Sequence, residues 1–300
     1  MKKWFLWLIA LLLFAGASWY FFLKEYHYRV SFTTSESPGI VYKHLMDWKS
    51  FDESDQLVEV LSGKRYSQLE QRIQSGDSVF HYIWKITPEG STKTRVTAYI
   101  TDEQHGFRQK IEVPFKKNDF VRSSIWNVKL AGNALIKKAE AYQTHSIKDT
   151  LISPRFCAYV SVTSNVNEKA SAMLKNIAIV MDYIKQNNLE LQGDPFLEVT
   201  KWDQENDLIQ FDFCFPIKQS DSLPATTDVL FKTSRARKVL KAEFNGNYRI
   251  SSNAWYTLLD HAERNNIEAE ILPIEYFLDD PHAGGNPLEW KALIFLPLKD

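Results

Sequence analysis

Ile271-Leu272-Pro273-Ile274-Glu275-Tyr276-Phe277-Leu278-Asp279-Asp280-Pro281 is the stretch of this 300-residue chain whose reading decides the fold. Apolar and aromatic residues from Leu272 to Leu278 predict a short strand, and Asp279-Asp280-Pro281 is a turn signal that stops it. One carboxylate, Glu275, interrupts the run. An acid inside such a strand is costly to bury without a partner. Either the strand is a sheet edge with Glu275 turned to water, or the carboxylate faces a cleft.

Working outward, the surroundings of this stretch occur twice. Gln186-Asn187-Asn188-Leu189-Glu190 is echoed by Arg264-Asn265-Asn266-Ile267-Glu268, an offset of 78 residues (266 minus 188). Each copy follows a helical pattern. The first runs from about Val166 to Gln186, with Ala170, Leu174, Ile177 and Met181 on one face; the second, Ser252 to Arg264, carries Trp255, Leu258 and Leu259. Asn suits the left-handed conformation that ends a helix. Each helix leads to a proline-marked strand with a glutamate, Pro195-Phe196-Leu197-Glu198 and Pro273-Ile274-Glu275. Each copy closes on a strand ending near proline, Phe213–Ile217 and Ile294–Leu298, and opens on one, Phe156–Thr163 and Val239–Phe244. The unit is βαββ, used twice, over about 155–218 and 234–299. Two such units pair around a pseudo-two-fold axis and leave a cleft between them.

Phe244-Asn245-Gly246-Asn247-Tyr248, Ala254-Trp255, Ile274 to Pro281 and Phe295-Leu296-Pro297-Leu298 together resemble the GyrI-like, AraC-type effector-binding family, over residues 153–300. The resemblance implies a small-molecule module for hydrophobic, often cationic, ligands, with Glu275 facing the ligand among Tyr248, Trp255, Tyr276 and Phe277. Family members often carry an acid where this chain has Leu293, so a second acidic contact from the last strand is in doubt. These effector domains commonly follow a DNA-reading helix-turn-helix. Here other segments precede it, which argues against a transcription regulator.

Residues 4–23 hold no charge and match the ~20 residues a helix needs to cross a bilayer. Ala15-Gly16-Ala17 resembles a signal-peptide cleavage site, which would release a secreted chain. Trp19-Tyr20-Phe21-Phe22-Leu23 instead prolongs the apolar run as an interfacial belt, and the uncleaved anchor is the favoured reading. Lys2 and Lys3 place the N-terminus in the cytoplasm and the bulk outside it. Net charge is −1, with basic residues scattered, which excludes an extended nucleic-acid surface.

Residues 26–146 read differently. A strand (Tyr28–Thr34), a short helix after Ser37-Pro38, strand-like runs (Leu57–Leu61, Tyr66–Ile73, Ser78–Thr87, Thr94–Thr101, Phe107–Pro114) and one long helix (Asn118–Thr144) follow in order. Ser37 to Tyr42, Asp47-Trp48 and Tyr82 to Thr87 resemble the START-like (SRPBCC, polyketide-cyclase-like) superfamily. That implies a helix-grip fold around an apolar cavity, with His81, Trp84, Tyr99 and Trp126 as candidates to line it, although aromatics on strands are more often ordinary core. A linker is expected near Ser146–Pro154, and a polar loop over Ile217–Thr233.

The expected architecture is therefore α+β: a transmembrane helix (1–25), a helix-grip START-like domain (26–146) and a pseudo-two-fold duplicated βαββ effector-binding domain (153–300). No metal or cofactor motif occurs, and Cys157 and Cys214 read as core residues. Asp279, Asp280 and His282 read as a turn in preference to a metal site. Two functions fit. One is a membrane-anchored binding or sensing protein for a hydrophobic or amphipathic, cationic ligand. The other is a hydrolase of electrophilic amphiphiles in which Glu275 is the general base.

Overall fold

The uncharged N-terminal run forms α1 (Lys2–Ser18), continued by a π-helical turn, Trp19–Leu23. Trp4–Leu23, 20 residues, is long and apolar enough to cross a membrane, and none of it is buried against the rest of the chain. The computed structural model describes residues 2–50, 52, 56–75, 78–220, 223 and 228–299. Among these are six α-helices and two antiparallel sheets, an α+β architecture. The chain divides into two units, Met1–Lys137 and Lys138–Asp300.

In the first unit β1 (Tyr28–Thr34) and α2 (Pro38–Met46) precede the meander β2 (Val58–Lys64), β3 (Gln68–Ser75), β4 (Ser78–Glu89) and β5 (Lys93–Asp102). Gly90, at φ +62°, makes the left-handed turn between β4 and β5. The sheet order is β1-β5-β4-β3-β2. Then come α3 (Gly106–Glu112) and α4 (Asp119–Ala139). Period-two burial on β4 sends Tyr82 and Trp84 inward, where α2 and α4 cover them. The Trp84 indole donates to Gln71, which donates to the Leu45 carbonyl, and Asn127 of α4 donates to the Tyr82 hydroxyl.

Several expectations are corrected here. Phe107–Pro114 is helical, not a strand: Phe107 and Ile111 stand one turn apart, Gln109 between them is tied to Asp102, and Pro114 stops the helix. The long helix ends at Ala139. His81 and Tyr99 lie on the sheet face opposite Trp84, and Trp126 is 64% exposed on α4, so the four residues do not converge.

The second unit starts with a strand where a linker was expected. β6 (Tyr142–Ile152) is followed by β7 (Phe156–Asn165), α5 (Lys169–Gln186), β8 (Phe196–Asp203) and β9 (Leu208–Pro216). β10 (Leu230–Thr233), β11 (Arg237–Gly246), α6 (Asn253–Arg264), β12 (Ile274–Phe277) and β13 (Lys291–Pro297) repeat the order. β10 occupies the end of the expected polar loop; Asp221, Ser222 and Pro224 of that loop lie outside the described residues. Asn188 and Asn266 end the two helices at φ 53° and 54°, the left-handed positions that the paired asparagines predict.

The sheet order is β10-β7-β9-β8-β12-β13-β11-β6. Each opening strand therefore pairs with the other half: β6 with β11, β10 with β7. In a flat sheet β6 and β7 would stand six strand spacings apart, about 29 Å. Three residues, 153–155, join them and reach at most about 14 Å. The sheet must curl. Residues 234–236 close the same gap between β10 and β11, and the two crossovers bond to each other through Arg155 and Ser234. Inside the curl, Ile152, Cys157, Phe196, Cys214, Val239, Ile274, Tyr276 and Phe295 form one core. Lys232 bonds Glu198 and Asp212, and Arg237 bonds Glu198, so the ends of β10 and β11 are tied to β8.

Two predictions come from this architecture. A chain starting at Ser153 loses β6 and bares the edge of β11, so it should unfold at lower urea and aggregate more than one starting at Lys138. Matching midpoints would show that β6 adds nothing. In the first unit, burial and then the nearby Lys110 push His27 down to about 4, and its Nδ1 accepts the Asp102 N–H. Unfolded, the imidazole titrates near 6.5, so between these values the unfolded state holds more protons and stability falls as pH drops from about 6.5 to 4, by roughly 3 kcal/mol. His27→Gln should flatten that slope in urea titrations across the window; an unchanged slope would assign it to another group.

Candidate functional site

Alternation along β12 sorts the expected site residues before any distance is measured. Glu275 and Phe277 point to the helix-covered face of the sheet, Ile274 and Tyr276 into the curl. The same rule separates the two glutamates. At the offset of 78 it is Leu197 that corresponds to Glu275, and these two are cross-strand neighbours. Glu198 corresponds to Tyr276, one residue out of step, and so lies on the opposite face. The two glutamates therefore do not share a cleft.

On the helix side Glu275 has no exposure at all, and its Oε2 lies 3.1 Å from Nζ of Lys169, which is equally buried. Lys169 opens α5. Its ammonium uses three acceptors: the Tyr248 carbonyl at 2.9 Å, Ser251 Oγ at 2.6 Å and Glu275 Oε2. Ser251 Oγ lies 2.8 Å from the same carboxylate oxygen and donates to it. Trp255, fully buried on α6, walls this group in: Lys169 Nζ is 5.7 Å from its ring, and Trp202 packs edge-on behind it. Glu275 is paired through Oε2, while its Oε1 is buried with no hydrogen-bond partner among the described residues.

Sequence reasoning missed Lys169. A lysine in a first helical turn ordinarily points to water, but this one heads the row Met173, Ile177, Val180 and Ile184 on the apolar side of α5. A charge in line with the apolar face of a helix was the available signal.

Above the ion pair a cavity of about 630 Å³ opens between α5, the end of β9 and the loop after β12. Ala170, Met173, Leu174, Ile177 and Met181 form one wall, and Phe213 and Phe215 another. Tyr248, Phe277 and Trp290 form an aromatic corner, with ring centroids 5.0 Å (Tyr248–Phe277) and 6.2 Å (Tyr248–Trp290) apart. Asp194, Asp279, Asp280 and Arg249 are the charged residues of its lining. Of the five expected ligand-contacting residues, Tyr248 and Phe277 line this cavity. Glu275 and Trp255 lie in the layer behind it, and Tyr276 packs with Phe196 and Phe295 inside the curl.

The polar groups of the corner have partners. The Tyr248 hydroxyl donates to the Lys291 carbonyl at 2.7 Å and accepts the Asp279 N–H. Burial pushes its phenol up to about 12, so it stays protonated at neutral pH. Asp279 accepts the Lys291 N–H, which supports the reading of Asp279-Asp280-Pro281 as a turn. Among the described residues no three His, Cys, Asp or Glu side chains are grouped to hold a metal.

No protein-family model matches the chain, and no curated protein matches it. Among solved structures it is similar to the C-terminal domain of EcmrR, at 19% identity over 53% of this chain and 98% of that one, TM-score 0.42. It is similar to a hydrolase from Listeria innocua at 13% identity, over 51% and 92%, TM-score 0.35. SAV2435 bound to tetraphenylphosphonium is a third, at 8% identity over 52% and 94%, TM-score 0.32. Likenesses this distant carry no argument about what this chain binds or does.

The buried pair makes a specific prediction. Glu275→Gln leaves the Lys169 ammonium buried opposite a neutral amide and should cost about 3–5 kcal/mol in urea unfolding. Lys169→Met combined with Glu275→Leu removes both charges and should recover most of that loss. A double variant no better than Glu275→Gln would mean that the two side chains are not coupled.

Proposed function

We propose that residues 138–300 form a binding module for a hydrophobic or amphipathic small molecule, carried by a chain that residues 4–23 anchor in a membrane. The reading is of a binding or sensing protein of the GyrI-like effector-binding kind, preceded by a START-like unit. The observation that carries it is the cavity of about 630 Å³ bounded by α5, Phe213, Phe277 and Tyr248. Its size and mainly apolar lining are those of a small-molecule pocket.

Ligand charge is where the geometry modifies the reading of the sequence. Lys169 and Ser251 occupy Oε2 of Glu275, and its Oε1 is buried without a hydrogen-bond partner among the described residues. The residue lies outside the lining, so a bound cation does not meet this carboxylate directly. Any preference for cations comes from Asp194 and Asp280 in the lining, which stand exposed, opposed by Arg249. Exposed charges are screened by water and salt, so we expect modest selectivity, with hydrophobic contact supplying most of the affinity. For general-base catalysis a carboxylate must reach substrate and accept a proton. Glu275 is paired and lies outside the lining, so the geometry favours binding over hydrolysis.

In this reading Lys2 and Lys3 hold the N-terminus in the cytoplasm, with residues 24–300 beyond the other leaflet.

The test is a titration of the full chain, in detergent, with an alkyl-triphenylphosphonium and a neutral triphenyl analogue, read by calorimetry. Both should bind, with affinities within about tenfold of each other, or 1.4 kcal/mol. Ala170→Trp, which fills the cavity from α5, should weaken both by more than about tenfold while unfolding stays cooperative. Binding untouched by Ala170→Trp would move the site elsewhere. A cation preference far beyond tenfold would restore a free carboxylate to the pocket.

A further inference from the structure

The loop between β5 and α4 carries an apolar surface that neither the fold nor the cavity uses. On α3, Phe107 is 74% and Ile111 46% exposed, and Phe115 just beyond is 88% exposed. Phe107 and Ile111 stand one turn apart on one side of α3, and Phe115 follows exposed in the turn beyond Pro114. The opposite side is fixed: Gln109 donates to Asp102 and accepts from Asn118. The segment is therefore held rigidly while its aromatic side faces outward.

Its position is tied to the end of the apolar helix. The Tyr20 hydroxyl donates to the Lys110 carbonyl at 2.9 Å, and Lys110 Nζ donates to the Phe21 carbonyl at 2.6 Å. The rings of Phe21 and Phe107 are 6.5 Å apart. Residues 20 and 21 are the last turn of the 20-residue span, so α3 lies level with its exit. Residues 106–117 also carry Arg108, Lys110, Lys116 and Lys117 against one acid, Glu112, which pairs with Arg108 and Lys116. Apolar side chains, flanking cations and a fixed height beside a membrane span together describe a surface for lipid.

We propose that α3 and Phe115 are a second membrane contact, a foot that enters the acyl–headgroup boundary of the leaflet beside Leu23, with its lysines and arginine against anionic headgroup phosphates. The inference rests on the anchor reading of residues 4–23. Interfacial helices seat their apolar side about 5–10 Å into that boundary, with cations directed at the headgroups. Continuity with the span matters here, because a single short helix binds lipid weakly by itself, whereas one tethered at the right depth meets the surface at high effective concentration.

The experiment places a spin label on the full chain reconstituted in phosphatidylcholine vesicles containing phosphatidylglycerol. Three single sites are used: Phe115→Cys, Leu13→Cys within the span and Ser91→Cys on the β4–β5 turn. The native thiols Cys157 and Cys214 are buried, which limits background labelling. Accessibility to oxygen against a water-soluble nickel chelate reports depth. The label at 115 should show an oxygen-to-nickel ratio several-fold above that at 91 and below that at 13. It should fall towards the value at 91 in vesicles without phosphatidylglycerol. A ratio at 115 equal to that at 91, with 13 in hydrocarbon, would overturn the foot and leave the anchor standing. A water-exposed label at 13 would overturn the anchor and the foot with it. Depth at 115 unchanged without anionic lipid would overturn the headgroup pairing. Ile111→Cys gives a second label should Phe115→Cys disturb the segment.

Discussion

One buried ion pair joins the two halves of the second unit. Lys169 comes from the helix of the first half and Glu275 from the central strand of the second, and both are wholly withdrawn from water. Ion pairs of this kind stabilise little against an apolar alternative, because desolvating two charges offsets their attraction. Their strength is in geometry. Three N–H groups meet three fixed acceptors, Tyr248 and Ser251 included, so the start of α5 is positioned against the turn before α6. The cavity begins one residue later, at Ala170.

The curl of the sheet is the second constraint. Residues from strands at opposite edges meet in one core because two three-residue crossovers admit no flatter arrangement. Glu198 belongs to that inner face, where Lys232 and Arg237 neutralise it. Two glutamates that look equivalent along the chain therefore do different work: one ties the crossover ends to β8, the other holds a helix over the pocket.

The βαββ order was legible because its marks are local. Paired asparagines that end helices, prolines that open strands and apolar rows at helical spacing need no tertiary knowledge. What failed was long-range. β6 reads Tyr142-Gln143-Thr144-His145-Ser146-Ile147-Lys148-Asp149-Thr150-Leu151-Ile152, with few apolar residues, because it lies at an edge and pairs on one side only. Its first tyrosine also continues the apolar row of α4, so spacing alone carries the helix past its end at Ala139. Glu198 and Glu275 each follow a proline, but at three and two residues, and a slip of one residue reverses a strand's face. At the site, Tyr248 and Phe277 were legible as aromatics near a glutamate. Lys169 was not, because its partner lies more than a hundred residues away.

The exchange of opening strands has a consequence for synthesis. As the chain emerges, β6 appears early, yet its partner β11 is made only after the whole first half is complete. β7 likewise waits for β10 to cover its outer edge. Neither half can satisfy its own backbone along those edges in the meantime. The unit must therefore close late, as one event dominated by pairings distant in sequence, and such topologies fold slowly and leave unpaired edges open to other chains while they do so. Crowding during that interval would be the hazard, and dilute expression would ease it.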